Sequence, residues 1–161
     1  MTAVTAVSDF SKGTLPIVTG DCAGDEVVQD YYIDVTTGQL TLNAMFDIGV
    51  LPAGHTISDA ILIPDDLDSG SPAITLSVGI MDGTPGDATS DRTVGAEIFS
   101  ASTAAQGATP TRASLKTAFI ILPTDSHRSI GVKVAAAPTT AAAGRIRLRV
   151  WMHQSAYPQQ F

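Results

Sequence analysis

Cysteine is almost absent from this 161-residue chain, which contains a single one, Cys22. One cysteine excludes an internal disulfide framework and a cysteine-based zinc site. Long hydrophobic runs are absent too: the longest, around residues 119–122, is far shorter than the ~20 residues of a membrane-spanning helix. The first residues lack a basic segment followed by a long apolar one, so no secretory signal is predicted. We therefore expect a disulfide-free chain with no membrane partner.

Glutamate is scarce, with 2 Glu against 14 Asp. Asp favours turns, as do the 14 Gly and 9 Pro, whereas Glu favours helices. Hydrophobic residues make up 44% of the chain and charged residues 16%, which is too apolar for a disordered chain. The composition indicates one globular, all-β domain.

Recognisable catalytic motifs are also absent. The sequence has no nucleophile elbow, no phosphate-binding loop and no dinucleotide-binding glycine pattern. Its three histidines, His55, His127 and His153, are too far apart to suggest a metal site. Asp66, Asp68 and neighbouring residues 65–70 faintly resemble a calcium loop, but no glutamate follows at the required spacing, and a turn is the favoured interpretation. We predict no enzyme activity, no catalytic residue, no metal site and no cofactor.

Alternating apolar residues are the main signal of secondary structure. Residues 39–48 and 145–152 alternate with a period of two, which is typical of strands with one buried face. About eight such segments, separated by turns, predict a β-sandwich, jelly-roll-like in topology, although an eight-stranded up-and-down barrel fits nearly as well. Residues 109–118 are predicted as a short helix capped by Thr109, and residues 117–122 as a strand.

The first 24 residues differ from the rest, because their apolar residues are isolated among small ones. Such a segment cannot bury much of its own surface. We predict an extended N-terminal arm over residues 1–24 and a single β-sandwich domain over residues 25–161. An arm of this kind can add to the sheet edge of a neighbour. Its predicted partner-binding residues are Val4, Val7, Phe10, Leu15 and Ile17.

Charge is distributed unevenly along the chain. Residues 1–100 contain fifteen acidic and two basic residues, whereas residues 101–161 contain one acidic and seven basic ones. Arg145, Arg147, Arg149 and Trp151 share one face of the last predicted strand and are called here the arginine ridge. A solvated outer face, a protein partner and a nucleic acid remain possible interpretations of the ridge. Its three arginines are a small footprint for nucleic acid on an acidic protein, so we predict a protein partner and no direct nucleic-acid contact.

A longer pattern covers residues 39–83. A Pro-Ala-Gly turn at 52–54 leads to a predicted strand, then to Asp-Asp-Leu-Asp-Ser-Gly at 65–70, a second strand, and Asp-Gly at 82–83. This pattern resembles head decoration (cement) proteins of tailed bacteriophages. The resemblance implies a β-sandwich or jelly-roll subunit without catalytic residues, which binds the outer surface of the major capsid protein shell as a homodimer or homotrimer.

The resemblance also implies a location. We expect a virion protein on the outside of an icosahedral capsid, made in the host cytoplasm. The same pattern could belong to a tail or connector protein. The alternative function is a tail-associated or other carbohydrate- or receptor-binding β-module, for which Trp151 and the tyrosines Tyr31, Tyr32 and Tyr157 are the available aromatic side chains.

Overall fold

Two antiparallel sheets form the body of the protein in a computed structural model that describes residues 2–16, 25–89 and 91–155. Eleven strands lie in these ranges: β1 Thr2–Ala3, β2 Ala6–Val7, β3 Glu26–Val35, β4 Met45–Leu51, β5 His55–Pro64, β6 Thr75–Met81, β7 Asp91–Arg92, β8 Phe99–Ser102, β9 Thr111–Arg112, β10 Arg128–Ala136 and β11 Gly144–Gln154. Three short 3-10 helices cover Thr37–Gln39, Ala104–Gln106 and Lys116–Ile120. None of the helices in the described ranges has the length and apolar character needed to cross a membrane.

The strand order is that of a jelly roll. One sheet reads β2-β4-β10-β6-β8 and the other β3-β11-β5-β9, while β1 and β7 form a small separate pair. When β1, β2 and β7 are left out, eight strands remain. If these eight strands are renumbered 1 to 8 in chain order, the two sheets have the strand orders 2-7-4-5 and 1-8-3-6. This strand order is the one that results when a long antiparallel hairpin folds over into two sheets. All the pairs among these eight strands are antiparallel. The predicted all-β jelly-roll sandwich is confirmed, and the barrel alternative is wrong.

The core lies between the two sheets. The alternation predicted for β11 is confirmed, since Ile146, Leu148 and Val150 are fully buried and the residues between them are partly exposed. Residues from β10 and β6 meet them from the opposite sheet, among them Ile130, Val132, Leu76 and Val78. This is the arrangement expected when two amphipathic sheets bury one face each.

Three local predictions are wrong. Residues 39–44 are not a strand, because a turn with Asn43 at φ 66° interrupts the alternation and leaves Leu42 58% exposed. Residues 109–118 are not a helix, because Thr111 and Arg112 pair with the open edge of β5. Residues 117–122 are not a strand: their first residues belong to the 3-10 helix Lys116–Ile120, which turns Ala118 toward the core, and Ile121 just after the helix is buried as well.

The N-terminal segment lies against the body rather than extending from it. β2 pairs in parallel with β4, and β1 pairs with β7. All seven residues of β4 are buried, because the interior covers one face and the N-terminal segment covers part of the other. In the described part of the chain, residues 2–16 therefore add two short strands and a set of turns to the sandwich.

Candidate functional site

The arginine ridge lies on the outer face of the sheet β3-β11-β5-β9. β11 is central in this sheet, so Arg147, Arg149 and Trp151 have cross-strand neighbours on both sides, and Arg145 has one in β3. On the β3 side, Arg145 lies opposite Asp34, Arg147 opposite Tyr32 and Arg149 opposite Asp30. On the β5 side, Arg147 lies opposite Ile63. The long antiparallel register therefore decides which side chains surround each arginine.

Two of the three arginines are neutralised within the chain. Arg145 donates hydrogen bonds of 2.7 and 2.9 Å from Nε and Nη2 to the carboxylate of Asp34. Arg149 makes the same two-point contact with Asp30, also at 2.7 and 2.9 Å. These hydrogen bonds from the guanidinium groups hold the pKa of Asp30 and of Asp34 below the ordinary value. The ridge is therefore a row of ion pairs rather than a continuous basic surface.

Arg147 differs from its two neighbours. Among the described residues it forms no ion pair, and its side chain is partly exposed between Tyr32 and Ile63. The ring of Tyr32 is held in place from both sides, since the Arg145 guanidinium carbon lies 4.5 Å from the ring centre and the Phe10 ring packs edge-on at 5.6 Å. In the described part of the chain, Arg147 thus presents a positive charge without a direct ion pair, beside an aromatic ring and an aliphatic side chain.

Trp151 is half-buried at the end of the ridge. It lines a depression of about 360 Å³ together with Glu26, Ser58, Asp59 and Arg112. The polar groups there are already partnered, because Arg112 forms an ion pair with Asp59 and the Ser58 hydroxyl donates a hydrogen bond to Glu26. A sugar would have to compete with these internal contacts, so the depression does not favour the carbohydrate-binding alternative.

Most of the predicted arm residues pack against other side chains of the same chain. Val4 and Val7 pack with Met45 and Met81 in a small cluster on the outside of the five-stranded sheet. Phe10 is buried, with its ring edge-on to Tyr31 at 5.2 Å, and Leu15 is partly buried against the main core. Ile17 lies outside the described residues. Because these side chains already have apolar partners, their predicted contact with a neighbouring subunit stays a prediction.

Among the described arm residues, Phe10 reaches the ridge through Tyr32. Phe10 contacts Tyr32, and Tyr32 in turn lies beneath Arg145, so the N-terminal segment supports one end of the ridge. Val7 and Leu15 line a small depression together with Tyr32 and Asp34, whereas Val4 packs with Met45 and Met81. The structure therefore does not bring the predicted binding residues into one site, and it singles out the ridge as the exposed part of that set.

The Asp-rich segment 65–70 is an irregular connection after β5, in which Asp68 forms an isolated β-bridge with Ala141. The buried carboxylate of Asp68 accepts hydrogen bonds from the backbone N–H groups of Ala73, Ile74, Thr139 and Thr140 at 2.7–3.2 Å. Although burial opposes ionisation, these four hydrogen bonds outweigh it and place the pKa of Asp68 far below its ordinary value. Within the described ranges, no three His, Cys, Asp or Glu side chains gather where a metal ion could be held.

Solved structures give the chain its family. A protein in the structure described as the capsid of Ralstonia phage GP4 is 40% identical, superimposes with a TM-score of 0.89, and is matched over 94% of this chain and 98% of that one. The chain belongs to this family of bacteriophage capsid proteins. A protein of the cyanophage Pam1 capsid asymmetric unit is 26% identical, with a TM-score of 0.63, over 89% of this chain and 96% of that one.

The fold extends to more distant capsids. A chain of the acid-stable capsid of Helicobacter pylori bacteriophage KHP30 shares 13% identity and a TM-score of 0.55, over 82% of this chain and 90% of that one, which shows likeness of fold alone. No protein-family model and no curated protein matches the chain. This capsid protein is accordingly a structural component of a phage virion.

One surface of the capsid protein was missed at the sequence level. Phe119, Ile120 and Leu122 are 42%, 57% and 76% exposed, and together they are called here the apolar patch. The signal that could have revealed it is the uninterrupted apolar run 118–122, which predicts a strand and therefore a place in the core. The 3-10 helix instead directs most of these side chains outward.

Proposed function

We propose that this capsid protein is a head decoration protein, which binds the outer surface of the major capsid protein shell in many copies as a homo-oligomer. The observation that carries the proposal is the arginine ridge, a sheet face on which Arg145 and Arg149 are held in ion pairs while Arg147, among the described residues, forms none. The body buries its own core, so it is a unit that could fold before it is added to a shell. The resemblance of residues 39–83 to decoration proteins supports the same conclusion.

Arg147 has the surroundings of an interface anchor. Tyr32 and Ile63 flank it, and the ion pairs Arg145–Asp34 and Arg149–Asp30 lie on either side along the strand. A central arginine in a partly apolar setting, bordered by contacts that a partner would cover, is the arrangement in which few residues supply most of the binding energy. We infer that a carboxylate or backbone carbonyl of the shell accepts hydrogen bonds from Arg147.

The paired arginines have a different part in this proposal. Their charges are already balanced, so bringing Asp30 and Asp34 with them into an interface adds no net charge to be compensated. They fix the plane of the sheet face and the position of Tyr32. Many identical weak contacts of this kind, made by copies linked in an oligomer, add up to firm attachment through avidity.

The experiment is a binding assay on shells that lack this protein, with bound copies counted against the major capsid protein by quantitative mass spectrometry. We expect a simple ratio of copies to shell subunits for the unaltered protein. Arg147→Glu should reduce occupancy strongly, and Arg147→Lys should reduce it less, because it keeps the charge but loses the planar set of donors.

Lys133→Glu is the matched control. Lys133 is partly exposed on the central strand β10 of the opposite sheet and, within the described ranges, forms no ion pair. The change in net charge is the same as for Arg147→Glu, so occupancy should stay near that of the unaltered protein. Absence of the unaltered protein from shells, or its presence in only a few copies per particle, would argue against decoration.

A further inference from the structure

The apolar patch has a fixed shape. Three hydrogen bonds hold the backbone around it: Thr117 Oγ1 donates to the Glu97 carbonyl at 2.7 Å, Thr56 Oγ1 to the Ile121 carbonyl at 2.6 Å, and Arg128 Nη2 to the Leu122 carbonyl at 2.8 Å. Ala118 and Ile121 anchor the same segment from inside, since both are buried. Because the segment is tied down at both ends, little order has to be gained when the patch meets a partner.

Exposure of this kind is unusual for a folded subunit. Single exposed apolar residues are common, and Leu42, 58% exposed in a turn, is an example. Three large apolar side chains within four consecutive positions, all turned outward, form a contiguous patch of the type that marks protein interfaces. The charged ridge lies on the outer face of a sheet and has a different chemical character, so the two surfaces suit different partners.

Charge identifies the partner of the patch. No charged residue occurs between Lys116 and Asp125 in the sequence. Both flanking residues are exposed, and in the described part of the chain neither forms an ion pair. The segment itself carries a lysine at one end and an aspartate at the other, while the Arg128 guanidinium is held by the Leu122 carbonyl. Two antiparallel copies of the segment would bring Lys116 of each opposite Asp125 of the other.

We propose that two copies of this chain pack through the apolar patch, with Lys116 of one copy facing Asp125 of the other and the reverse pair completing the contact. Two-fold contacts place the same surface on both sides and so require self-complementarity. Elsewhere the chains repel one another, because each carries a net charge of −7. This inference rests on the proposed function in one respect: it takes the homo-oligomeric state from that proposal and adds the surface through which two copies pack.

The test is the oligomeric state of the free protein, measured by analytical ultracentrifugation over a range of concentrations. Ile120→Asp should weaken self-association by about 30-fold or more, the scale of hot-spot residues. The matched control is Leu42→Asp, which adds the same charge at a residue of nearly equal exposure on another surface, and it should leave association unchanged. Since both side chains are exposed, thermal unfolding of the variants should resemble that of the unaltered protein.

A charge exchange tests the antiparallel arrangement. Lys116→Asp and Asp125→Lys should each weaken association, and the double variant should restore it, because the two ion pairs are re-formed with their signs exchanged. Rescue supports the proposal. A protein that stays monomeric at every concentration overturns it, as does an equal effect of Leu42→Asp or a double variant that is weaker than either single one.

The outcomes separate this inference from decoration itself. If the unaltered protein associates through the patch but does not bind shells, decoration fails and the contact between copies stands. If the protein binds shells while remaining monomeric in solution and on the shell, decoration stands and the contact between copies is wrong. Chemical cross-linking of shell-bound protein distinguishes the second case.

Discussion

The Arg92 guanidinium donates a 2.7 Å hydrogen bond to the Asp47 carboxylate, and neither side chain is exposed to solvent. Arg92 also donates to the Ser129 hydroxyl and to the carbonyls of Asp82 and Asp87, at 2.6–3.0 Å. Asp47 accepts further hydrogen bonds from Ser11, Ser129 and the Gly86 N–H. This buried ion pair therefore joins the N-terminal segment, β4, β10 and the connection between β6 and β7.

Breaking the pair should destabilise the protein strongly. Arg92→Met leaves the Asp47 charge buried without its cation, and removal of one partner of such a pair costs about 3–5 kcal/mol of unfolding free energy. Denaturant unfolding followed by fluorescence measures the loss. Arg112→Met is the control, because its ion pair with Asp59 is solvent-exposed on the arginine side. Equal losses for the two variants would contradict the importance of burial.

Acid should destabilise the protein through Asp68. Its pKa is far lower in the folded chain than in the unfolded chain, where it is ordinary, so the unfolded state binds the proton more readily. The stabilisation is therefore complete above the ordinary Asp pKa of about 3.9 and is lost as the pH falls below it. The pKa values of Asp30 and Asp34, which are paired with arginines, are also lowered in the folded chain.

The measurement is thermal unfolding at a series of pH values. Asp68→Asn should lower the melting temperature at neutral pH, because a neutral amide is a weaker acceptor for four backbone donors. Its melting temperature should also fall less than that of the unaltered protein between pH values of about 4 and 2. A variant with the full acid sensitivity would assign that sensitivity to other carboxylates.

Phe10 should stabilise its own subunit. Its ring is buried against Tyr31 and Tyr32, and Phe→Ala changes in protein cores cost about 3–5 kcal/mol. Thr14→Ala, at an exposed position of the same segment, is the control. If Phe10→Ala leaves the unfolding free energy unchanged but abolishes shell occupancy, the residue contacts a neighbour, as the arm prediction has it.

Gly49 is required by the neighbouring Tyr31 ring. A Cβ atom at position 49 would overlap that ring, which is held by a 2.5 Å hydrogen bond from its hydroxyl to the Val50 carbonyl. Gly49→Ala should therefore lower the unfolding free energy by about 1–3 kcal/mol, the usual cost of overpacking. Gly38→Ala, where nothing lies near the added carbon, should have little effect. Calorimetry or denaturant unfolding compares the two.

The sequence predicted which side chains of a strand face the core better than it predicted which strands pair. Alternation in residues 145–152 is a local property, and it correctly placed the arginines outside and the aliphatic residues inside. The partners of the arginines depend on the register with β3, which lies more than a hundred residues earlier in the chain. The sequence has an excess of acidic residues in its first part and of basic residues in its last part. The register between β3 and β11 brings residues from these two parts together as ion pairs within one subunit.

For the N-terminal segment and the apolar patch, the sequence did not predict which side chains are buried. Isolated apolar residues such as Val7 and Phe10 predict an arm, because nothing local indicates that Met45 and Asp47 on the outer side of β4 have partners in the N-terminal segment. The run 118–122 predicts a strand, because apolar content alone does not distinguish a buried strand from an exposed 3-10 turn. In both cases the decisive contact is with a distant part of the chain.

The pairing of β3 with β11 has a consequence for how the subunit is made. The first strand of the jelly roll bonds along its length to the last, so the four-stranded sheet lacks its central strand until the ribosome has passed residue 154. Contacts this distant in sequence form slowly. A chain cut short before β11 has neither the arginine ridge nor Ile146, Leu148 and Val150 of the core, so an interrupted synthesis leaves the four-stranded sheet in two parts.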